Sequence, residues 1–97
     1  MGNAQRSLEE VRQHIDSLDR QIVALIAQRQ KWVVMAGSLK KDEDAVAAPD
    51  RVERVIAKVR EQAEYAGASP VVVESTYRAL IGAFIDLELE HHRSRDG

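Results

Sequence analysis

Apolar side chains recur along the first third of the chain in a three-four alternation: Leu8, Val11, Ile15, Leu18, Ile22 and Leu25, then Trp32, Ala36 and Leu39. That period marks a helix packed along a coiled-coil-like seam and predicts one long helix over residues 7–41. Ser7 stands as its N-cap, Glu10 three residues on completes a capping box, and Glu9 adds negative charge at the positive end of the helix dipole. The interior holds no helix breaker before Gly37. A glycine there costs about 1 kcal/mol relative to alanine and leaves room for a backbone or a ligand to come close. Residues 41–48, KDEDAVAA, interrupt the period and read as a short, mobile connection.

Pro49 and Asp50 then open a second helix whose inward face is Val52, Val55, Ile56, Val59 and Ala63, and Gly67 supplies its C-terminal cap. Ser69 and Pro70 start a third helix, which runs to about His92 with Val73, Tyr77, Leu80, Phe84 and Leu87 inward. Trp32, Tyr77 and Phe84 read as core residues. Residues 1–6 read as a disordered leader, 7–93 as a single helical domain and 94–97 as a polar tail. The expected fold is all-α: a three-helix chain, long then short then medium, with connections short enough for antiparallel neighbours.

The seam of the first helix has one gap, and Arg29 fills it. A guanidinium on an apolar face needs something anionic to meet it. Lys40 lies eleven residues on, which brings it within about 20° of the same face and roughly 16 Å further along the axis. A helix of about 33 residues is ~50 Å long, whereas a compact chain of this size has a radius of gyration near ~13 Å, so the helix overhangs its own domain. The expected partner for the overhang is a second copy about a two-fold axis, giving an intertwined homodimer. If the two helices cross antiparallel near residue 26, Arg12 of one copy stands opposite Lys40 of the other. Within one helix Arg12 is ~25 Å from Arg29, which assigns it to the neighbouring subunit's site.

Composition narrows the chemistry. With 97 residues the chain is sized for one core, and 44% apolar with 31% charged residues is the content of a water-soluble bundle. A net charge of −2 offers no basic field to nucleic acid or to an anionic membrane, so cations on apolar faces stand out. The absence of cysteine removes disulfides, thiolate metal sites and cysteine nucleophiles. No apolar run reaches the ~18 residues of a membrane span, the start lacks a signal-peptide core, and the expected location is the cytoplasm.

Taken singly, the charged residues have plain explanations. Arg29 can snorkel from a seam, Lys40 complements a helix C-terminus, Arg12 and Arg51 can be solvated, and Glu88 on the inner face of the third helix can pair with a cation. Taken together, Arg29, Lys40, Arg51 at the mouth of the second helix, Glu88, and Arg12 from a second copy form a pocket for a small dianion. No nucleophile stands beside a base. His14, His91 and His92 lack metal-ligand spacing and read as surface residues, and no glycine-rich phosphate loop is present. The pattern calls for neither metal nor cofactor. It suits a unimolecular rearrangement, in which arginines clamp carboxylates and a lysine faces an oxygen that gains charge in the transition state.

From Leu8 to Arg93 the chain resembles the all-helical, type II chorismate mutases. The matching segments are VRQHIDSLDRQIVALIAQR, the SLK about ten residues after Arg29, AAPDRV, and FIDLELEHHR. The resemblance implies an intertwined helical dimer with two cofactor-free sites that convert chorismate to prephenate, in aromatic amino acid biosynthesis or secondary metabolism. It implies that Arg12 contacts the enolpyruvyl carboxylate across the dimer, that Arg29 holds a carboxylate, that Lys40 faces the ether oxygen, and that Arg51 lines the site. Glu88 stands where many members carry a glutamine that donates to the ether oxygen. Only a protonated acid can donate, so activity is expected to favour mildly acidic pH. Where typical members carry an acidic residue before the helix-two arginine and a glutamate after it, this chain has Ala48 and Val52. That pattern resembles the isochorismate pyruvate lyases and the 4-amino-4-deoxychorismate mutases, which stand as alternative activities. A non-catalytic helical dimerisation or regulatory module is the alternative of another class.

Overall fold

The computed structural model describes residues 6–96; residues 1–5 of the expected leader and Gly97 of the expected tail lie outside the described residues. The order is α1 (Leu8–Ser38), α2 (Glu43–Ala47), α3 (Pro49–Ala66) and α4 (Pro70–Asp96), with no strand among the described residues. The chain divides between Trp32 and Val33 into two units.

In the first unit the helix start follows the capping box. The Ser7 Oγ accepts from the Glu10 N–H at 3.1 Å and the Glu10 carboxylate accepts from the Ser7 N–H at 3.2 Å, which satisfies two of the donors a helix leaves open. The seam itself stays open in the single chain. Leu8, Val11, Ile15, Leu18, Ile22 and Leu25 are all exposed, from 40% at Val11 to 61% at Leu8 and Leu25, and Trp32, expected in a core, is exposed as well. One helix cannot bury its own stripe, so this unit has no core of its own.

The second unit has one. Ile56, Val59 and Ala63 of α3 pack with Ile81 and Phe84 of α4, and Tyr77 is half-buried beside them along α4. The connection expected to be mobile is instead a docked helix. The Asp42 carboxylate caps α2 by accepting from the Ala45 N–H at 2.9 Å, and Val46, at 2% exposure, is buried where α2 packs on α4. Five residues are too few to show a period, and four charged neighbours hide the one valine that anchors them. Ala48 both ends α2 and starts α3 in the left-handed conformation, φ 35° and ψ 64°. For an alanine that conformation costs roughly 1–2 kcal/mol, held here by an N–H donated to the Asp44 carbonyl and a carbonyl accepting from the Val52 N–H. Gly67 caps α3 at φ 83°, with the Ala68 N–H reaching back to the Ala63 carbonyl at 2.8 Å, and the Ser69 Oγ caps α4 through the Val72 N–H.

Two further expectations are corrected. The first helix stops at Ser38 and not near Lys41, because the Leu39 and Lys40 N–H groups bond three residues back, to the Ala36 and Gly37 carbonyls, and tighten the end. The last helix continues to Asp96, and His92, expected on the surface, is buried.

Charge ties α4 to its neighbours. Arg78 holds Glu53 of α3 with both terminal nitrogens, at 2.9 and 3.0 Å, and Glu74 through Nε at 2.8 Å, while Arg60 meets Glu74 at 2.6 Å. Arg93 pairs bidentately with Glu43 of α2 at 2.9 and 3.2 Å. The Arg78 hydrogen bond is the main cause holding both Glu53 and Glu74 below the ordinary glutamate value of 4.5, and Arg60 lowers Glu74 further.

Two outcomes follow. Val46→Ala is expected to cost about 1.5–3 kcal/mol in a denaturant melt, the sum of lost methyl burial and the space left behind, whereas a mobile connection would lose nothing. The lowered carboxylates stabilise the fold above pH 4.5, and that contribution disappears as the pH falls through their lower folded-state values, where the folded chain also takes up the protons. The fall in Tm between pH 7 and pH 3 is therefore expected to be smaller in Arg78→Ala than in the parent; equal falls would remove Arg78 from the acid response.

Candidate active site

Lys40 lies two residues past the end of α1, and Glu88 lies on the face of α4 that continues from Ile81 and Phe84. Their side chains meet: Lys40 Nζ donates to Glu88 Oε2 at 2.9 Å. The carboxylate is 7% exposed and the ammonium side chain 28%, so the acid is shut in while the base keeps an open side. An unpaired carboxylate at that depth is costly, and the ammonium offsets the cost. Gly37 makes the approach possible. It is buried, and a Cβ built on it would stand 2.8 Å from Glu88 Oε2 and 3.3 Å from its Cγ. The glycine that the sequence leaves open to a backbone or a ligand thus receives the acid of α4.

Beside Glu88 lies a cavity of about 90 Å³, lined by Val34, Gly37, Ser38, Glu88, His91 and His92. It is far below the ~300 Å³ at which small-molecule pockets begin, so it has room for one anionic group or a few waters and not for a ring-sized molecule. His92 sits one turn beyond Glu88 on α4, its Nε2 3.4 Å from the Lys40 carbonyl. Neither His92 nor Ser38 figures in the site read from sequence. The signal for His92 was its i+4 spacing from Glu88, masked by His91 beside it on the exposed side.

The remaining expected residues are placed as follows. Ala48 is the half-buried left-handed residue between α2 and α3; Arg51 is exposed on the first turn of α3, and Val52 beside it is half-buried. Arg12 and Arg29 belong to the first unit, Arg12 exposed and Arg29 half-buried and engaged in an interaction of its own. The structure therefore brings Lys40 and Glu88 together and sets Ala48, Arg51 and Val52 along one short stretch. The pair can present an ammonium to an anionic or electron-rich oxygen while the buried carboxylate orients it.

Gly37→Ala separates packing from positioning. The atom it meets is the end of a flexible side chain, so Glu88 can swing away, and alanine gains about 1 kcal/mol of helix preference against the lost hydrogen bond. Stability is expected to stay within about 1 kcal/mol of the parent. The Lys40 ammonium, slow to exchange in its ion pair, is expected to lose its side-chain NMR signal; an unchanged signal would show that the pair does not depend on the missing Cβ.

Comparison with known proteins converges on one family. Residues 11–89 match the family described as chorismate mutase type II. The chain is 29% identical over 90 residues to the isochorismate pyruvate lyase of Pseudomonas aeruginosa, across 93% of this chain and 89% of that protein. It is 34% identical over 73 residues to the T-protein of Haemophilus influenzae, across 74% of this chain and 19% of that much longer protein. An all-helical chain, a lysine and a buried acid in place, and a family match spanning most of its length carry the same conclusion: the chain belongs to the chorismate mutase type II family.

Proposed function

We propose that the chain is a pericyclase acting on a chorismate-type dianion, with the rearrangement of chorismate to prephenate as its reaction. The Lys40–Glu88 pair is the observation that supports this most directly. In the rearrangement the ether C–O bond breaks as the enolpyruvyl methylene carbon bonds to the ring; electrons move within one molecule, and no proton or cofactor takes part. The ether oxygen gains negative charge on the way. Lys40 is the group proposed to face it, held in place by the Glu88 carboxylate. Arg29 and, from a second copy, Arg12 are proposed to hold the carboxylates, with Arg51 lining the site. The second copy is supported by the six large apolar side chains left exposed along α1, the face that a two-fold partner would cover. No helix among the described residues is long and apolar enough to cross a membrane.

Elimination of pyruvate from isochorismate is the second reading. In that reaction a ring hydrogen passes to the enolpyruvyl methylene as the same C–O bond breaks. It is favoured by Ala48 and Val52, which offer no polar group to a ring hydroxyl, and by the similarity to a lyase of that name. The amino-substituted substrate stands third.

The deciding assay sets chorismate, isochorismate and 4-amino-4-deoxychorismate side by side, following prephenate-type products and released pyruvate. Lys40→Ala is expected to lose at least ~100-fold in kcat on the accepted substrate. Glu88→Ala, which leaves the ammonium unoriented, is expected to lower kcat on the same substrate; an unchanged kcat would remove Glu88 from the site. Ile22→Asp is expected to convert a dimer to a monomer in sedimentation and to abolish turnover with it. No turnover of any of the three by the parent would leave the non-catalytic helical dimer as the reading.

A further inference from the structure

We infer that His92 is a positioning residue for Lys40: α4 grips this lysine at both ends, the Glu88 carboxylate on its ammonium and the His92 imidazole on its backbone carbonyl. The inference rests on the role proposed above for Lys40.

Lys40 occupies a poorly held place in the chain. It lies two residues past the end of α1, where helix carbonyls lose their partners, and its side chain has four rotatable bonds with which to wander. Three contacts remove that freedom. Its N–H donates to the Gly37 carbonyl at 3.2 Å, its Nζ to Glu88 Oε2 at 2.9 Å, and its carbonyl lies 3.4 Å from His92 Nε2. A carbonyl only accepts, so the ring nitrogen facing it must carry the hydrogen, which selects the Nε2–H tautomer. Glu88 and His92 are four residues apart on one helix, stacked on the same face with a rise of ~6 Å between them. That rise is comparable to the reach of a lysine side chain, so one face of α4 can serve both ends of one residue. The imidazole is as buried as the acid, each at 7% exposure, and the missing Cβ at Gly37 leaves the Glu88 side chain its place. Next along α4, Arg93 is paired with Glu43 of α2, so α2 holds this turn of the helix as well.

A residue that only fills space would be replaceable by an apolar ring, whereas a donor would not. His92→Phe keeps the volume and removes the N–H; His92→Gln restores a donor at similar reach. Two readouts are compared across parent and variants: kcat and KM on whichever of the three substrates the parent turns over, and the side-chain NMR signal of the Lys40 ammonium, assigned by its loss in Lys40→Met. His92→Phe is expected to lower kcat by about 10–100-fold with KM within about threefold, and to lose the ammonium signal to faster exchange. His92→Gln is expected to stay within about threefold of the parent in kcat and to keep the signal. A folded His92→Phe with the parent's kcat and ammonium signal overturns the inference, and so does a folded His92→Gln that fails as His92→Phe does. If the parent turns over none of the substrates, the functional reading falls, and the ammonium signal alone decides: lost in His92→Phe and kept in His92→Gln upholds the positioning role, alike in all three overturns it. Imidazole ¹⁵N shifts of the parent test the geometry whatever the variants' folding, with Nε2–H expected and Nδ1–H overturning the contact.

Discussion

A carboxylate buried in a bundle of this size dictates what surrounds it. Glu88 takes the place on α4 where Ile81 and Phe84 would be followed by another apolar residue, and its charge is tolerable only beside the Lys40 ammonium. Bringing the lysine there requires α1 to stop at Ser38, so that Lys40 leaves the helix and turns toward α4. Seating the Glu88 carboxylate where it lies needs the space left by the missing Cβ at position 37. One ion pair thus accounts for the glycine near the end of α1, the tightened final turn and the burial of a polar stretch late in α4. It is also where the chemistry gathers, since the same ammonium that satisfies the acid is partly open to an incoming anion.

The two units of the chain stand in different states of completion. The second has a core of its own from α3 and α4, closed on one side by the docked α2 and reinforced by Arg78 and Arg93. The first is a helix with its apolar seam exposed. Hydrophobic burial is the main favourable term in folding, and a stripe of six large apolar residues left in water forgoes it. A second copy of the same stripe is the partner proposed for it. The cavity beside Glu88 is too small for a ring-bearing dianion, so the proposed substrate would need space that a second copy supplies.

The stretch from Ala48 to Val52 carries the other constraint. A left-handed alanine before a proline is a costly way to turn a chain, and it joins α2 to α3 with no spare residue between them. The turn leaves Arg51 exposed at the start of α3 and sets two apolar side chains, Ala48 and Val52, around it. Substrate choice within the family is proposed to lie in that apolar pairing, and the charge-based chemistry is proposed to lie with Lys40 and Glu88.

Much of this was legible in the sequence, because it depends on short-range rules. Ser7 with Glu10, Pro49, Gly67 and Ser69 with Pro70 marked the helix boundaries through backbone groups a few residues away, and each of these signals operates in the fold. The three-four period of α1 and the inward face of α3 followed from helical geometry alone, and a carboxyl at helical spacing from Ile81 and Phe84 announced a buried acid at Glu88. Tertiary structure decided what depends on distant partners. Val46 could not be seen to anchor a helix, since its burial depends on a surface of α4 about forty residues later in the chain. His92 looked like one of two surface histidines until α4 was packed against the end of α1 and its ring met the Lys40 carbonyl. Periodicity shows which face of a helix is apolar; which residue of another helix meets that face, and at what distance, is fixed only when the helices are packed.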